Sequence, residues 1–230
     1  MPTDLIVSYD GTPNDDDALA LGKMLAHSGA SLALAYVRHT REFDPAREEI
    51  AQHDAERRLE HGVSWLRDPE IPGHVVIAAS TGEGLAKLAE TEGASMVVFG
   101  SDYRTPPGHA EPGTAAQHML EGGTVAIAVA AAGLRTKSDA QIQSIAVIAL
   151  DGDASAQATA ASLAGKLGAS MVAADAQEID LIVVGSQATA QPGRIALSGA
   201  TRSRLSSIRG SVLVVPHGHP VQCVVDSPAC

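Results

Sequence analysis

Two glycine-hydroxyl pairs stand close together in this chain, at Gly100-Ser101 and at Gly113-Thr114-Ala115. The first pair follows the apolar run Met96 to Phe99, and the second opens a segment with a helical pattern. Backbone amides at a strand's C-terminal end and at a helix N-terminus have no partner of their own, so this layout suits a phosphate group. Arg104 and His109 lie in the loop between the pairs, where their charge could offset a phosphate's. Asp10-Gly11 ends a separate apolar run, Leu5 to Tyr9, and Asp10 can face a ligand or cap the helix that follows.

The same pattern returns. Glu178 to Ser186 repeats Gly93 to Ser101, and Pro192-Gly193 and Ser198-Gly199 then follow in step with Pro107-Gly108 and Gly113-Thr114. Earlier in the chain the two copies lie further apart. Ala146 to Gly152 mirrors Leu5 to Gly11, and Gly168-Ala169-Ser170 mirrors Gly29-Ala30-Ser31. The offset between the copies narrows after Ser170, so the second copy lacks a segment, the counterpart of about 38–92 in the first.

The elements that must position these residues can be read from apolar runs and their punctuation. In the first copy, strands are predicted at Leu5–Tyr9, Leu32–Val37, His74–Ala79, Met96–Phe99 and Val125–Val129. Between them the sequence predicts helices. The first follows Thr12 and Pro13 and stops at Gly29, with Asp15, Asp16 and Asp17 in its first turn complementing the helix dipole. A long charged helix runs from Pro45 to about Arg67, with Ile50, Leu59, Val63 and Leu66 on one stripe. Shorter helices are expected at 84–92 and 112–121, and the second copy has one at 154–167. Alternation of this kind implies a doubly wound parallel α/β sheet with right-handed crossovers. The chain divides into a complete module at 1–133, a polar linker at 134–143, an abbreviated four-strand module at 144–216 and a tail at 217–230. The apolar last strands, Val125–Val129 and Val212–Val215, are candidates to pair with each other as a built-in pseudo-dimer, or to carry self-association.

The bulk numbers narrow the partners. A net charge of −11 argues against nucleic acid and anionic membranes, and 3% aromatic residues leave no stacking platform for single strands. No apolar run approaches the length of a membrane span, and the opening Met-Pro-Thr-Asp has no basic region. Cys223 and Cys230 are the only cysteines, so no disulfide framework is expected and a cytoplasmic location is the default. His217-Gly218-His219 lacks companion ligands and reads as tail rather than metal site. Arg202, Arg204 and Arg209 read as a solvated helix face able to pair with the acidic first module. There is no nucleophile elbow, no Walker lysine and no paired metal ligands, so no catalysis is expected beyond slow hydrolysis incidental to binding.

Taken together, the Gly-Ser after the fourth strand, the closing Gly-Thr at its spacing, Asp10 after the first strand and Val37 ending the second resemble the universal stress protein family in its tandem form. The resemblance implies Rossmann-like modules of the adenine-nucleotide α-hydrolase type, with five-strand parallel sheets. It also implies an ATP or AMP site, with magnesium accompanying ATP. Asp10, Gly11 and the Val37 backbone would hold ribose and adenine. Gly100, Ser101, Gly113, Thr114 and Ala115 would hold phosphates, aided by Arg104. The chain departs from the pattern at Tyr103 and Ala188, where the family has a middle glycine, and at Ser198-Gly199 and Ala176 in the second copy. Those departures predict no nucleotide in the second copy.

Overall fold

The computed structural model describes residues 3–137, 140–149, 154–205 and 207–222. In the first repeat the strands are β1 (Leu5–Ser8), β2 (Leu32–Arg38), β3 (Gly73–Ile77), β4 (Met96–Phe99) and β5 (Ala126–Val129). The helices are α1 (Pro13–Ala26), α2 (Pro45–Leu66), α3 (Thr81–Glu92) and α4 (Thr114–Leu120). A 3₁₀ turn at Leu134–Thr136 leads into the second repeat. There β6 (Ser144–Ile148), α5 (Ala154–Leu167), β7 (Ser170–Met171), β8 (Leu181–Gly185), α6 (Gly199–Leu205) and β9 (Ser211–Val215) follow. No counterparts of α2, β3 and α3 appear between β7 and β8, in agreement with the segment missing from the second copy.

All nine strands form one sheet in the order β3-β2-β1-β4-β5-β9-β8-β6-β7. Every pairing is parallel except the join of the repeats, where β5 meets β9 antiparallel with Ala128 opposite Leu213. The last strands therefore pair as expected, but within the chain. Each now has a neighbour on both sides, so neither offers an edge to a second copy, and self-association by that route is corrected. The outer edge of the shorter repeat is β7, only two residues long, which limits the ladder open to unwanted pairing.

Strands β4 and β9 are buried along their whole length because helices cover both faces of the sheet. On one face Leu5, Val7, Leu34 and Val98 pack with Leu21 and Leu25 of α1, and Leu163 of α5 joins the same core. On the other, Ile6, Val97 and Ile127 pack with Leu85 of α3 and Met119 and Leu120 of α4. Helix α2 starts after Asp44, whose carboxylate accepts from the Ala46 and Arg47 amides, and it runs 22 residues. At about 33 Å it outreaches the strands it covers. Its buried residues, Ala55, Leu59, Gly62 and Leu66, all lie from its midpoint onward. Ile50, expected on the core stripe, is instead exposed at the overhanging end.

The described parts of the linker and tail, 134–137, 140–143 and 217–222, pack on the fold. Leu134 and Ile142 of the linker are buried. Asp17 of α1, 1% exposed, binds the start of this segment: its carboxylate accepts from the amides of Gly133 and Arg135 and pairs with the Arg135 guanidinium at 2.7 Å. Asp17 is thus an anchor, where its position in the first turn suggested only a partner for the helix dipole. Beyond β9, Val221 is buried and donates its amide to the Thr159 hydroxyl, so residues 217–222 of the expected tail lie on the fold. Asp151, the counterpart of Asp10 in the second copy, lies outside the described residues, as do Cys223 and Cys230. Among those described, no helix is long and apolar enough to cross a membrane.

Candidate nucleotide site at the strand switch

The chain leaves β1 for its neighbour β2 and later returns to β1's other side as β4, so the strand order reverses between β1 and β4. In open α/β sheets, ligands bind beyond the strand C-termini at such a point. Val7 lies opposite both Leu34 and Val98, and Ser8 lies opposite Ala35. This register brings Asp10 after β1, Val37 near the end of β2 and Gly100 after β4 to the same rim of the sheet. Three candidates far apart in the sequence are therefore neighbours in the fold.

The rim is held by its own hydrogen bonds. The Asp10 carboxylate accepts from the Thr12 amide at 3.0 Å, while the Asp10 amide donates to Asp15 Oδ2 at 2.8 Å. Gly11 takes a positive φ of 89°, which a side chain would strain, and so turns the chain into α1. Arg58, from the long helix α2, donates to the Asp10 carbonyl at 2.7 Å and stacks its guanidinium over Tyr36. Sequence reasoning missed Arg58 because nothing local to α2 marks it; only the packing of α2 across the sheet carries it there.

The neighbouring carboxyls of Asp10 and Asp15 are shifted in opposite directions. Hydrogen bonding from the protonated Asp15 holds Asp10 below the usual carboxylate range. Burial first, and the Asp10 partner second, push Asp15 up to about 8. A carboxyl group raised in the folded state favours folding while protonated. That contribution is present below the unfolded value of about 3.9 and fades as pH climbs through about 8. Asparagine is the uncharged isostere and keeps an acceptor for the Asp10 amide. Asp15→Asn should therefore melt higher than the wild type at pH 8, by about 1 kcal/mol or more in stability. The gap should close on acidification toward pH 4. Melting curves at both pH values decide this, and a gap that fails to close would mean that Asp15 is not held protonated in the folded chain.

The Gly100-Ser101 pair is used differently from expectation. A Cβ built on Gly100 would lie 2.2 Å from the Asn14 carbonyl oxygen. Asn14 also donates its side-chain amide to the Ser101 carbonyl at 3.0 Å. The bare Gly100 Cα therefore admits the first turn of α1. Ser101 is 5% exposed, donates its hydroxyl to the Ala130 carbonyl at 2.6 Å and accepts from the Glu111 amide at 3.2 Å. Its proton is thus turned inward instead of toward a phosphate. Ser186 makes the same pair of bonds in the second repeat, to the Val215 carbonyl and from the Ala196 amide. Each serine ties its motif loop to the end of the repeat's last strand. Ser101→Ala and Ser186→Ala should each cost about 2 kcal/mol, because a buried carbonyl and amide lose their partner. Denaturant titration of the two variants measures the costs; a serine that can be removed without loss is no clasp.

The two loops also reach across the junction. The Gly210 amide donates to the Gly108 carbonyl, and Arg209 donates to the Pro107 carbonyl at 3.2 Å. On the other side the Gly122 amide donates to Ile195, the Ile195 amide to Gly123, and Arg194 to the Gly122 carbonyl at 2.8 Å. Arg209 thus bridges the repeats, as expected, but it contacts backbone rather than an acidic side chain and lies beyond α6.

The closing pairs differ between repeats. Ser198 caps α6 by accepting from the Thr201 amide, and its hydroxyl pairs with that of Thr201. Gly113, its partner in the first repeat by chain position, precedes α4 with no side-chain cap. Thr114 is exposed and Ala115 half-buried. A Cβ on Gly113 would meet nothing within 4 Å. Tyr103, at the position of the middle glycine, is 71% exposed with Arg104 stacked over its ring, so its side chain points away from the loop's interior.

No family profile and no curated protein match the sequence. Solved structures do match the fold. A universal stress protein from Archaeoglobus fulgidus DSM 4304 aligns over 95% of this chain and 100% of its own, with a TM-score of 0.69 at 13% identity. A functionally unknown protein from Pseudomonas aeruginosa PAO1 aligns over 93% of this chain and 92% of its own, with a TM-score of 0.58 at 14% identity. A protein provisionally described as a universal stress protein from Pseudomonas aeruginosa UCBPP-PA14 gives 94%, 93% and 0.57 at 14% identity. The nine-stranded sheet, the switch between β1 and β4 and the antiparallel join of the repeats together give this chain the fold of the universal stress proteins.

Proposed function

We propose that the chain is a tandem universal stress protein that binds an adenine nucleotide, ATP or AMP, in its first repeat only. The observation that carries this reading is the convergence of Asp10, Val37 and Gly100 on one rim at the strand switch. Asp10 stays ionised beside Asp15, and an ionised carboxylate is a pure acceptor, suited to ribose hydroxyls. The Val37 backbone offers polar groups at the level where adenine would lie. The amides of Gly113, Thr114 and Ala115 open α4 without a side-chain cap, and phosphate oxygens would accept from them. Arg104 supplies positive charge close by, and magnesium would accompany ATP. In the second repeat Ser198 already occupies the equivalent helix start.

The binding test is calorimetric titration with ATP and magnesium. One saturable site at micromolar Kd is expected. Gly113→Glu should weaken ATP binding at least 100-fold by placing a carboxylate among the phosphates. It should leave the melting temperature unchanged, since the position is open and its φ of −69° suits any residue. A variant that binds ATP as the wild type does would remove Gly113 from the site. No heat from the wild type would favour a second reading, a scaffold without nucleotide. That reading draws on the inward-turned Ser101 and on the loops that dock across the junction.

A further inference from the structure

The two faces of the β5–β9 junction are covered unequally. On one, Ala128, Leu213 and Val215 belong to the core that includes α1, α5 and the linker residues Leu134 and Ile142. On the other, α4 and α6 flank the junction, and each has only seven residues, about 10 Å. Between them lies a cavity of about 330 Å³. Val129, Val212 and Val214 of the paired strands line it, with Leu120, Leu197 and Leu205 beside them. Backbone bonds between the Gly122-Gly123 turn and Ile195 hold α4 to the second motif loop, so the walls come from both repeats at a fixed spacing.

We propose that this cavity is a second small-molecule site, for a compact, uncharged and mainly apolar ligand. Asp102, Glu111, Thr114, Gln117 and Arg202 bring polar groups to it, but the paired strands present only the Val129, Val212 and Val214 side chains, against which water finds no partner. An apolar molecule of about fifteen non-hydrogen atoms fills the same space at interior density. The charged residues lining it, Asp102, Glu111 and Arg202, sum to one negative charge on a chain already at −11, which disfavours an anion. Of the nucleotide candidates only Gly113 and Thr114 line this cavity, while Asp10, Val37 and Gly100 do not. The two sites therefore adjoin at the start of α4, but the dye site does not need the nucleotide reading: it can be present where ATP binding is absent.

The test uses the neutral dye N-phenyl-1-naphthylamine, whose emission rises and shifts to the blue in apolar surroundings. Titration of the whole chain should show one saturable site. Leu197→Trp, which fills the cavity, and Leu205→Glu, which charges its wall, should each weaken dye binding at least tenfold while melting remains cooperative. Phe43→Ser and Ile50→Ser remove exposed apolar groups elsewhere and should leave it unchanged. Saturating ATP should also leave it unchanged. A titration that never saturates, or one that Ile50→Ser weakens as much as Leu197→Trp does, would overturn the site. Displacement of the dye by ATP would overturn its separateness by making the cavity part of a nucleotide site.

Discussion

Asp17→Ala is expected to lower the stability of the chain by about 3 kcal/mol, and its melting temperature by roughly 10 °C. The carboxylate is 1% exposed and serves three donors at once: the amides of Gly133 and Arg135 and the Arg135 guanidinium. Removing it leaves two amides without partners and a cation without its counter-ion, and each loss adds. The guanidinium is 31% exposed, so water recovers part of its solvation, and the lower end of the range for broken buried pairs applies. Asp17→Asn separates the contributions, because its single oxygen can serve only part of the set. Differential scanning calorimetry of both variants measures the effect. A drop below about 1 kcal/mol for Asp17→Ala, the worth of one ordinary hydrogen bond, would mean that the linker is not held by α1.

Gly100→Ala should be comparably damaging, at about 3 kcal/mol, for a different reason. Its new Cβ would approach the Asn14 carbonyl oxygen to 2.2 Å and the carbonyl carbon to 2.7 Å. Both are backbone atoms of the first turn of α1, so no side-chain rotation relieves the clash and the helix start itself must move. Gly113→Ala is the matched control, since nothing lies within 4 Å of its Cβ, and it should change stability by less than about 0.5 kcal/mol. Equal melting of the two variants would show that α1 does not seat on Gly100. The contrast matters for the site as well. Gly100 stays small for the protein's own helix, while Gly113 is small with open space in front of it.

The strands of this fold are legible because burial on both faces leaves nearly continuous apolar runs. Met96 to Phe99 reads as a strand and is one, and the run ending at Val129 is misjudged by a single residue. Helix α5 is legible at both ends because Gly168 stops it and small residues fill it. Ile50 misleads because helical periodicity continues past the point where the sheet beneath the helix ends. Within the candidate site, the glycine pairs can be picked out as candidates from their place after a strand and before a helix, and Asp10 from the family resemblance. Their roles cannot, since the partners that fix them, Asn14 for Gly100 and Ala130 for Ser101, come from other parts of the chain.

By itself, then, the sequence determined the alternating α/β order, the internal repeat, the segment its second copy lacks and the positions that gather at the strand ends. These follow from local patterning and chain order, which constrain a doubly wound sheet tightly. The tertiary structure alone decided which of those residues face inward and which face open space. It turned the Ser101 hydroxyl into a clasp, gave Asp17 to the linker, brought Arg58 over Asp10 and opened a cavity between α4 and α6. Each outcome depends on which atoms lie within about 4 Å across distant segments, and no local pattern encodes that.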